Sequence, residues 1–334
     1  MTRPIYLDYN GTTPLDPEVI AAMRPFLEED FGNPSSSHWY GIRPKQAVEA
    51  ARRQVASLLG CLPEEIVFTS GGTESNNHAI KGLARALKDK GRHIVTSAIE
   101  HPAVLEVCRS LESEGFETTY VAVDGQGMLD PGEVARALRP DTILVSIMHA
   151  NNEVGTVQPI AAIAELARSR GIAVHTDAAQ SLGKIPVDVA ALGVDLLSMA
   201  GHKLYAPKGI GALYVRTGLA LEKFCHGAGQ EKGRRAGTEN VMGIVGLGKA
   251  CELAGRDLAG CMARMRGLRE RLHRGITRRM GDVRLNGHPD QRLPNTLSLS
   301  FKGLAANRLL EEIGLEVAAS AGAACHADSV AVSH

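Results

Sequence analysis

The chain has no apolar run of the roughly 18 residues that a membrane-spanning helix requires. Its longest apolar stretches, such as Thr142 to Met148, are the size of a single strand. It carries no excess of charge: 37 Lys and Arg residues balance 37 Asp and Glu residues. That balance leaves no electrostatic footprint for direct binding of nucleic acid or of an anionic membrane. The opening Met1-Thr2-Arg3-Pro4-Ile5-Tyr6-Leu7-Asp8 lacks the apolar core of a signal peptide, so a cytoplasmic location is expected. Six cysteines stand at 61, 108, 225, 251, 261 and 325, and none forms a C-x-x-C pair. This argues against a zinc knuckle or a redox dithiol, and no metal site is expected. Free thiols fit a reducing compartment, where most of them serve as small buried hydrophobes. No internal repeat and no low-complexity segment is present.

What the sequence does have is 44% hydrophobic residues over 334 positions, enough for a large core and about two domains as a prior. From about residue 64, strand-like and helix-like stretches alternate. Strands are predicted over 66–70, 93–97, 118–123, 142–148, 173–178, 196–200 and 210–215. Between them, Ile80, Leu83, Ala84 and Leu87 recur at helical spacing, Pro102 opens a helix, and 160–167 forms another. Asp130-Pro131-Gly132-Glu133 combines an N-cap aspartate, a first-turn proline and a glutamate at the third position, a strong helix start. Such alternation implies an α/β fold with a mostly parallel sheet covered on both faces. The character changes near residue 255. A basic amphipathic helix is predicted over 258–276, a half-exposed strand over 295–301, a helix over 304–313 and a strand over 315–319. The expected division is a large domain of residues 15–255 and a smaller α+β domain of 1–14 plus 256–334.

Ligands of open α/β sheets sit beyond the C-terminal ends of the strands. Four such ends carry polar groups. Ser70-Gly71-Gly72-Thr73-Glu74-Ser75-Asn76-Asn77 ends a strand and opens a helix, whose first amides can cradle a phosphate; a purely structural turn is the competing reading. His101 precedes Pro102 at a helix start, where the dipole disfavours a charged imidazole. A neutral ring there could stack on a flat cofactor, or simply cap the helix. Asp177, in His175-Thr176-Asp177-Ala178-Ala179-Gln180, needs a cationic partner if buried. A protonated pyridine nitrogen or a structural salt bridge would each serve. Lys203, after Ser198-Met199-Ala200-Gly201-His202, follows an apolar strand, where desolvation favours the amine needed for a Schiff base; the alternative is a snorkelling lysine. Phosphate cradle, ring-stacking histidine, aspartate and lysine are together what pyridoxal 5'-phosphate demands. A dinucleotide fold is the rival, but no G-x-G-x-x-G follows the first strand, and Gly227 to Gly233 has the wrong spacing and comes too late.

Several ordered blocks resemble the class V aminotransferase group, nearest to cysteine desulfurases of the NifS/IscS type and the related selenocysteine lyases. They are Tyr6 to Pro14, Gly32-Asn33-Pro34-Ser35-Ser36, Ser70 to Asn77, Asn151-Asn152-Glu153, His175 to Gln180, Gly201-His202-Lys203 and Ala236-Gly237-Thr238-Glu239-Asn240. The resemblance covers essentially the whole chain. It implies the fold-type I architecture of pyridoxal-phosphate transferases, with Lys203 bonded to the cofactor, Asp177 on the pyridine nitrogen and Gln180 on the ring hydroxyl. His101 would stack on the ring and move protons, while Gly72, Thr73 and His202 would hold the phosphate. Asn152 would lie near the ring hydroxyl, Asn33 near the substrate carboxylate, and Thr238 would reach the phosphate of a neighbouring subunit, which implies a homodimer. Cys325, within Ala321-Gly322-Ala323-Ala324-Cys325-His326-Ala327-Asp328, selects the reaction. The equivalent cysteine attacks the substrate sulfur, giving L-alanine and a persulfide that passes to an acceptor such as an iron–sulfur scaffold or a tRNA-thiolation system.

Two departures from the family pattern bear on this expectation. Members of the group continue several tens of residues further and carry there an arginine for the substrate carboxylate, whereas no arginine follows Arg308 here. The small domain is thus expected to be incomplete at its C-terminus, and a truncated, non-catalytic partner subunit is one alternative. Ala200 stands where many relatives place a serine, and Ala-Ala-Cys-His-Ala-Asp resembles some lyase members. A selenocysteine lyase, acting on L-selenocysteine, is the other alternative to a desulfurase acting on L-cysteine.

Overall fold

The computed structural model of the chain describes residues 3–322. Eleven strands are present among them: β1 (Ile5–Tyr6), β2 (Ile66–Thr69), β3 (His93–Ser97), β4 (Glu117–Val121), β5 (Thr142–Ser146), β6 (Ala173–Asp177), β7 (Leu196–Ala200), β8 (Gly211–Val215), β9 (Val283–Leu285), β10 (Leu299–Phe301) and β11 (Val317–Ala318). Seven form one sheet in the order β2-β8-β7-β6-β5-β3-β4. The pairs β7/β6, β6/β5, β5/β3 and β3/β4 are parallel, while β8 runs antiparallel to both neighbours. Six strands therefore point the same way, and their C-terminal ends share one edge. The expected mostly parallel α/β sheet is what the chain forms.

Apolar side chains alternate between the two faces of these strands, and each face has its own core. Phe68, Val95, Val145, Val174, Leu197 and Met199 pack in one cluster, and Val67, Ile94, Leu144, Leu196 and Leu213 in the other. The first cluster includes Val48, Val55 and Leu59 of the helix Trp39–Leu59. The second includes Ile80 and Leu83 of the helix Gly72–Leu87. Asp130 caps the helix Pro131–Ala137 by accepting from the Gly132 amide (2.8 Å). Glu133, predicted to complete a capping box, instead pairs with Arg136.

The remaining strands form two small sheets. β1 lies parallel to β11, and β9 antiparallel to β10. The helix Leu258–Thr277 contributes no buried residue, so its apolar stripe is not covered as a core face among the described residues. The strand expected over 295–301 begins only at Leu299. The reason is local: the Asn295 and Thr296 side chains turn to the Asn10 side-chain oxygen, at 2.9 and 3.4 Å, and leave the ladder geometry. None of the helices in residues 17–59 had a sequence prediction. No helix of the described residues is long and apolar enough to cross a membrane.

Candidate active site

The common C-terminal edge brings the ends of β2, β3, β6 and β7 together. At the end of β2, Gly71 and Gly72 lead into the helix Gly72–Leu87, which has no side-chain cap. Its first amides thus face outward with their hydrogens available. They open on a cavity of about 400 Å³ lined by Gly11, Thr12, Ser70 to Glu74, His202, Lys208, Gly209 and Ile210. That volume suits a small ligand, for which sites of roughly 300–1,000 Å³ are usual. A side chain at Gly71 would meet nothing within 4 Å, while one at Gly72 would come to 3.2 Å from Ala200. Gly72 is therefore the position where helix and β7 approach closely. His202 Nδ1 lies 3.2 Å from the Thr12 hydroxyl. Burial, and after it the positive charges of Lys203, Lys208, Lys184 and His101, pushes the His202 imidazole down to about 4. It meets the cavity as a neutral ring.

Asp177 ends β6 and is buried. Its oxygens accept from the Asn76 side-chain amide (2.7 Å) and from the Ala179 backbone amide (2.9 Å). Both donors are neutral, and among the described residues no lysine or arginine forms an ion pair with it. The structural salt bridge considered for this aspartate is thus not formed. A buried carboxylate with neutral donors alone is suited to a cation supplied by a ligand. Two residues earlier, His175 lies between the Ser146 and Ser198 hydroxyls (2.8 and 2.9 Å), and burial holds it near 4 as a neutral bridge across β5, β6 and β7.

Lys203 follows β7 in the short turn Gly201–Lys203. Its Nζ donates to the carbonyls of Asn10 and Gly11 (2.8 Å to the latter). It is tied to the backbone of Gly11, which lines the cavity, rather than snorkelling outward. Gln180 donates to the same Asn10 carbonyl (3.0 Å). His101 caps the helix Pro102–Glu112 by accepting from the Ala103 amide at Nδ1 (3.1 Å). The lone pair of Nδ1 is thereby engaged, which leaves Nε2 as the ring nitrogen that can donate.

Other expected site residues lie differently. Asn152 approaches through its backbone, whose carbonyl accepts from Asn10 Nδ2 (3.1 Å). Thr73 lines the large cavity, whereas Thr238 lines an adjoining one of about 230 Å³ that shares Ser70, Gly209 and Ile210 with it. The Thr238 loop is pinned by Arg235 to Glu74 (2.8 Å) and by the buried bidentate pair of Arg52 and Glu231 (2.8 Å for each bond). Asn33 is exposed and closes a local turn by accepting from the Ser35 amide (2.9 Å). The structure does not bring it to the cavity. Cys325 lies outside the described residues; the described chain reaches Gly322, where an added Cβ would sit 3.5 Å from Glu153 Oε2.

Three residues of this region had no role in the sequence reading. Asn10 is a hub: its carbonyl takes Lys203 and Gln180, and its side chain joins Asn152, Asn295 and Thr296. Lys184 is buried against Gln180. Glu100, next to His101, accepts from the Ser97 hydroxyl (2.6 Å) and the Met148 amide (2.9 Å), and its other oxygen is buried without a partner. Burial pushes this carboxyl up to about 8.

The Glu100 geometry has a measurable consequence. A carboxyl whose folded value is raised to about 8 stays protonated in the fold while it ionises in the unfolded chain. The fold then loses stability as pH rises from about 4.5 towards 8, and keeps its full advantage below that window. Glu100→Gln retains both acceptor bonds and removes the ionisation. Urea melts at pH 5 and pH 8.5 are expected to show a smaller loss of stability with pH in this variant than in the parent. Equal losses in the two proteins would show that Glu100 is ionised throughout.

With this geometry in view, comparison with known proteins is informative. Residues 5–333 match the family model described as aminotransferase class-V. The chain belongs to the class V aminotransferase family. Within it, the chain is 52% identical over 335 residues to the cysteine desulfurase IscS of Dictyoglomus turgidum, covering all of this chain and 85% of that protein. It is 49% identical to the cysteine desulfurase IscS of Methanosarcina thermophila, over 99% and 82% of the two chains. Among solved structures, a NifS-like protein superposes with a TM-score of 0.90 at 41% identity, over 94% of this chain and 87% of that one. SspA in complex with cysteine superposes with a TM-score of 0.87 at 40% identity, over 98% and 91%. The family and these neighbours agree with the mostly parallel α/β fold that the sequence blocks implied.

Proposed function

We propose that this class V chain is a pyridoxal-phosphate-dependent cysteine desulfurase. It converts L-cysteine and the Cys325 thiol into L-alanine and a Cys325 persulfide. The observation that carries the reading is the buried Asp177 carboxylate, neutral-bonded and set on the same sheet edge as Lys203 and the uncapped, glycine-opened helix. These groups supply the chemistry that each part of the cofactor requires. The amides of Gly72 and Thr73 with neutral His202 would hold its phosphate, Asp177 its ring nitrogen, Gln180 its ring hydroxyl and Lys203 its aldehyde carbon. Bound there, pyridoxal phosphate supplies an electron sink for the substrate α-carbon.

The chain's own residues do the rest. Asp177 keeps a proton on the ring nitrogen by its uncompensated charge. Lys203, once released from the Asn10 and Gly11 carbonyls, would move protons at the substrate α-carbon, and His101 Nε2 would be a second proton donor. Cys325 attacks the substrate sulfur: its S–S bond forms as the carbon–sulfur bond breaks, and the carbon gains the proton that completes alanine. Sulfur then leaves for an acceptor protein, an iron–sulfur scaffold or a tRNA-thiolation carrier.

A homodimer is part of this reading. Phe31, Trp39, Tyr40 and Ile42 are exposed together, with Tyr40 stacked on Phe31 at 5.5 Å and edge-on to Trp39 at 5.1 Å. An exposed apolar group of that kind suits cover by a second copy, whose Thr238 would then serve the neighbouring phosphate. The test is product analysis. Incubated with L-cysteine and a thiol reductant, the holoprotein is expected to release alanine and sulfide in equal amounts. Release of alanine from selenocysteine alone would replace the desulfurase by a lyase, and no alanine from either would overturn both.

A further inference from the structure

Lys184 lies in the turn that follows β6. The turn is tight: the Ser181 and Leu182 amides both return to the Ala178 carbonyl, and the Lys184 and Ile185 amides to the Ser181 carbonyl. Gly183 makes this possible, with φ +69° and a missing Cβ that would otherwise lie 2.2 Å from Leu204. The chain therefore folds Lys184 inward, and the residue is 7% exposed. Its Nζ donates to Gln180 Oε1 at 3.1 Å. No carboxylate of the described residues pairs with it. A structural lysine would ordinarily be drawn to such a partner or to solvent.

The bond fixes more than Lys184. An ammonium only donates, so the Gln180 atom facing it is the carbonyl oxygen. The Asn10 carbonyl only accepts, so the atom facing that is the Gln180 nitrogen (3.0 Å). The amide is locked from both ends, with one N–H left over. The same Asn10 carbonyl accepts from Lys203. Lys184, Gln180, the Asn10 carbonyl and Lys203 thus form one continuous chain of hydrogen bonds, with a lysine amine at each end.

We propose that Lys184 is a positioning residue of the cofactor site, which orients the Gln180 amide and lowers the proton affinity of Lys203 by its charge. The inference rests on the pyridoxal-phosphate reading above. Burial and, after it, the charge of Lys203 hold the Lys184 amine down to about 7, consistent with mutual repulsion of the pair. The other titratable groups at this end of the sheet include His202 and Lys208 between β7 and β8, Glu100 and His101 after β3, His149, which bonds Ser181 of the Lys184 turn (2.9 Å), and Asp177 at the end of β6.

The experiment is a pH titration of the visible absorption of the bound cofactor in the holoprotein, read beside KM and kcat for L-cysteine. Lys184→Met removes the charge and keeps the length. Its spectral midpoint is expected about one pH unit or more above that of the parent, since removing a neighbouring cation favours the protonated form. Lys184→Arg, which keeps the charge, is expected to titrate near the parent. If Lys184→Met does not fold, Lys184→Gln carries the same test, because it can still donate to Gln180 but has no charge. Parent-like midpoints in the uncharged variants, or equal shifts in Lys184→Met and Lys184→Arg, would overturn the inference. A parent protein with no visible band fails the cofactor reading itself, a separate result.

Discussion

Lys203→Ala is expected to lower alanine formation from L-cysteine by roughly a thousandfold or more, and to abolish the visible band of the cofactor-loaded protein. The structure holds the Lys203 amine by two backbone carbonyls, those of Asn10 and Gly11. Such a site fixes where the nitrogen stands without neutralising it in an ion pair with either acceptor. Lys203→Arg sharpens the test. A guanidinium can satisfy the same carbonyls and preserve the local charge, but it does not deprotonate near neutral pH and cannot serve as the amine nucleophile. The arginine variant is therefore expected to match the alanine variant in turnover and colour, while unfolding closer to the parent. An arginine variant with more than a tenth of parental activity would show that Lys203 acts through charge alone, and the cofactor role would pass to another amine. Absorbance scans and alanine quantification on the same samples decide it.

How much of this was legible beforehand follows from how far each signal extends along the chain. Lys203, Asp177 and His101 could be picked out because each ends or closely follows a strand, and the topology rule then places strand ends on one edge. The seven-strand sheet was legible for the same reason: β2, β3, β5, β7 and β8 are buried along their whole length, and each carries two or more adjacent apolar residues. Asn10, Lys184 and Glu100 escaped because their roles are made by distant partners. Asn10 meets Lys203 and Gln180 across nearly two hundred residues of chain, and neither neighbour is visible from an isolated asparagine near the N-terminus. Nothing in the sequence around Lys184 marks it as buried; the positive φ of Gly183 belongs to the turn that folds it inward. The helix Trp39–Leu59 was missed although it packs Val48, Val55 and Leu59 into the core, because Pro44 interrupts its pattern. Asn33 was assigned by motif, and its side chain is engaged in its own turn.

Cys325→Ala is the counterpart of the lysine variant and is expected to separate the chemistry into two parts. The cofactor band should remain and still respond to L-cysteine, whereas persulfide disappears and alanine formation falls by about three orders of magnitude, some 4 kcal/mol of activation free energy. The structure narrows the alternatives among the other five cysteines. Cys61 and Cys108 are pushed up to about 12 by burial, and Cys251, fully buried, is raised further in the same direction. A thiol held protonated in apolar surroundings is a poor nucleophile. That leaves Cys225, partly buried, and Cys261, exposed on the helix Leu258–Thr277, as accessible controls. Cys225→Ala and Cys261→Ala are expected to keep parental rates and persulfide yields. Cys325→Ser adds a discriminating arm: its hydroxyl stays protonated at neutral pH where a thiol partly ionises, so it should be as inactive as alanine despite near-identical size. Alanine formation within tenfold of the parent in Cys325→Ala, or its loss in Cys225→Ala, would move the sulfur acceptor to another residue while leaving Lys203 and Asp177 in their roles.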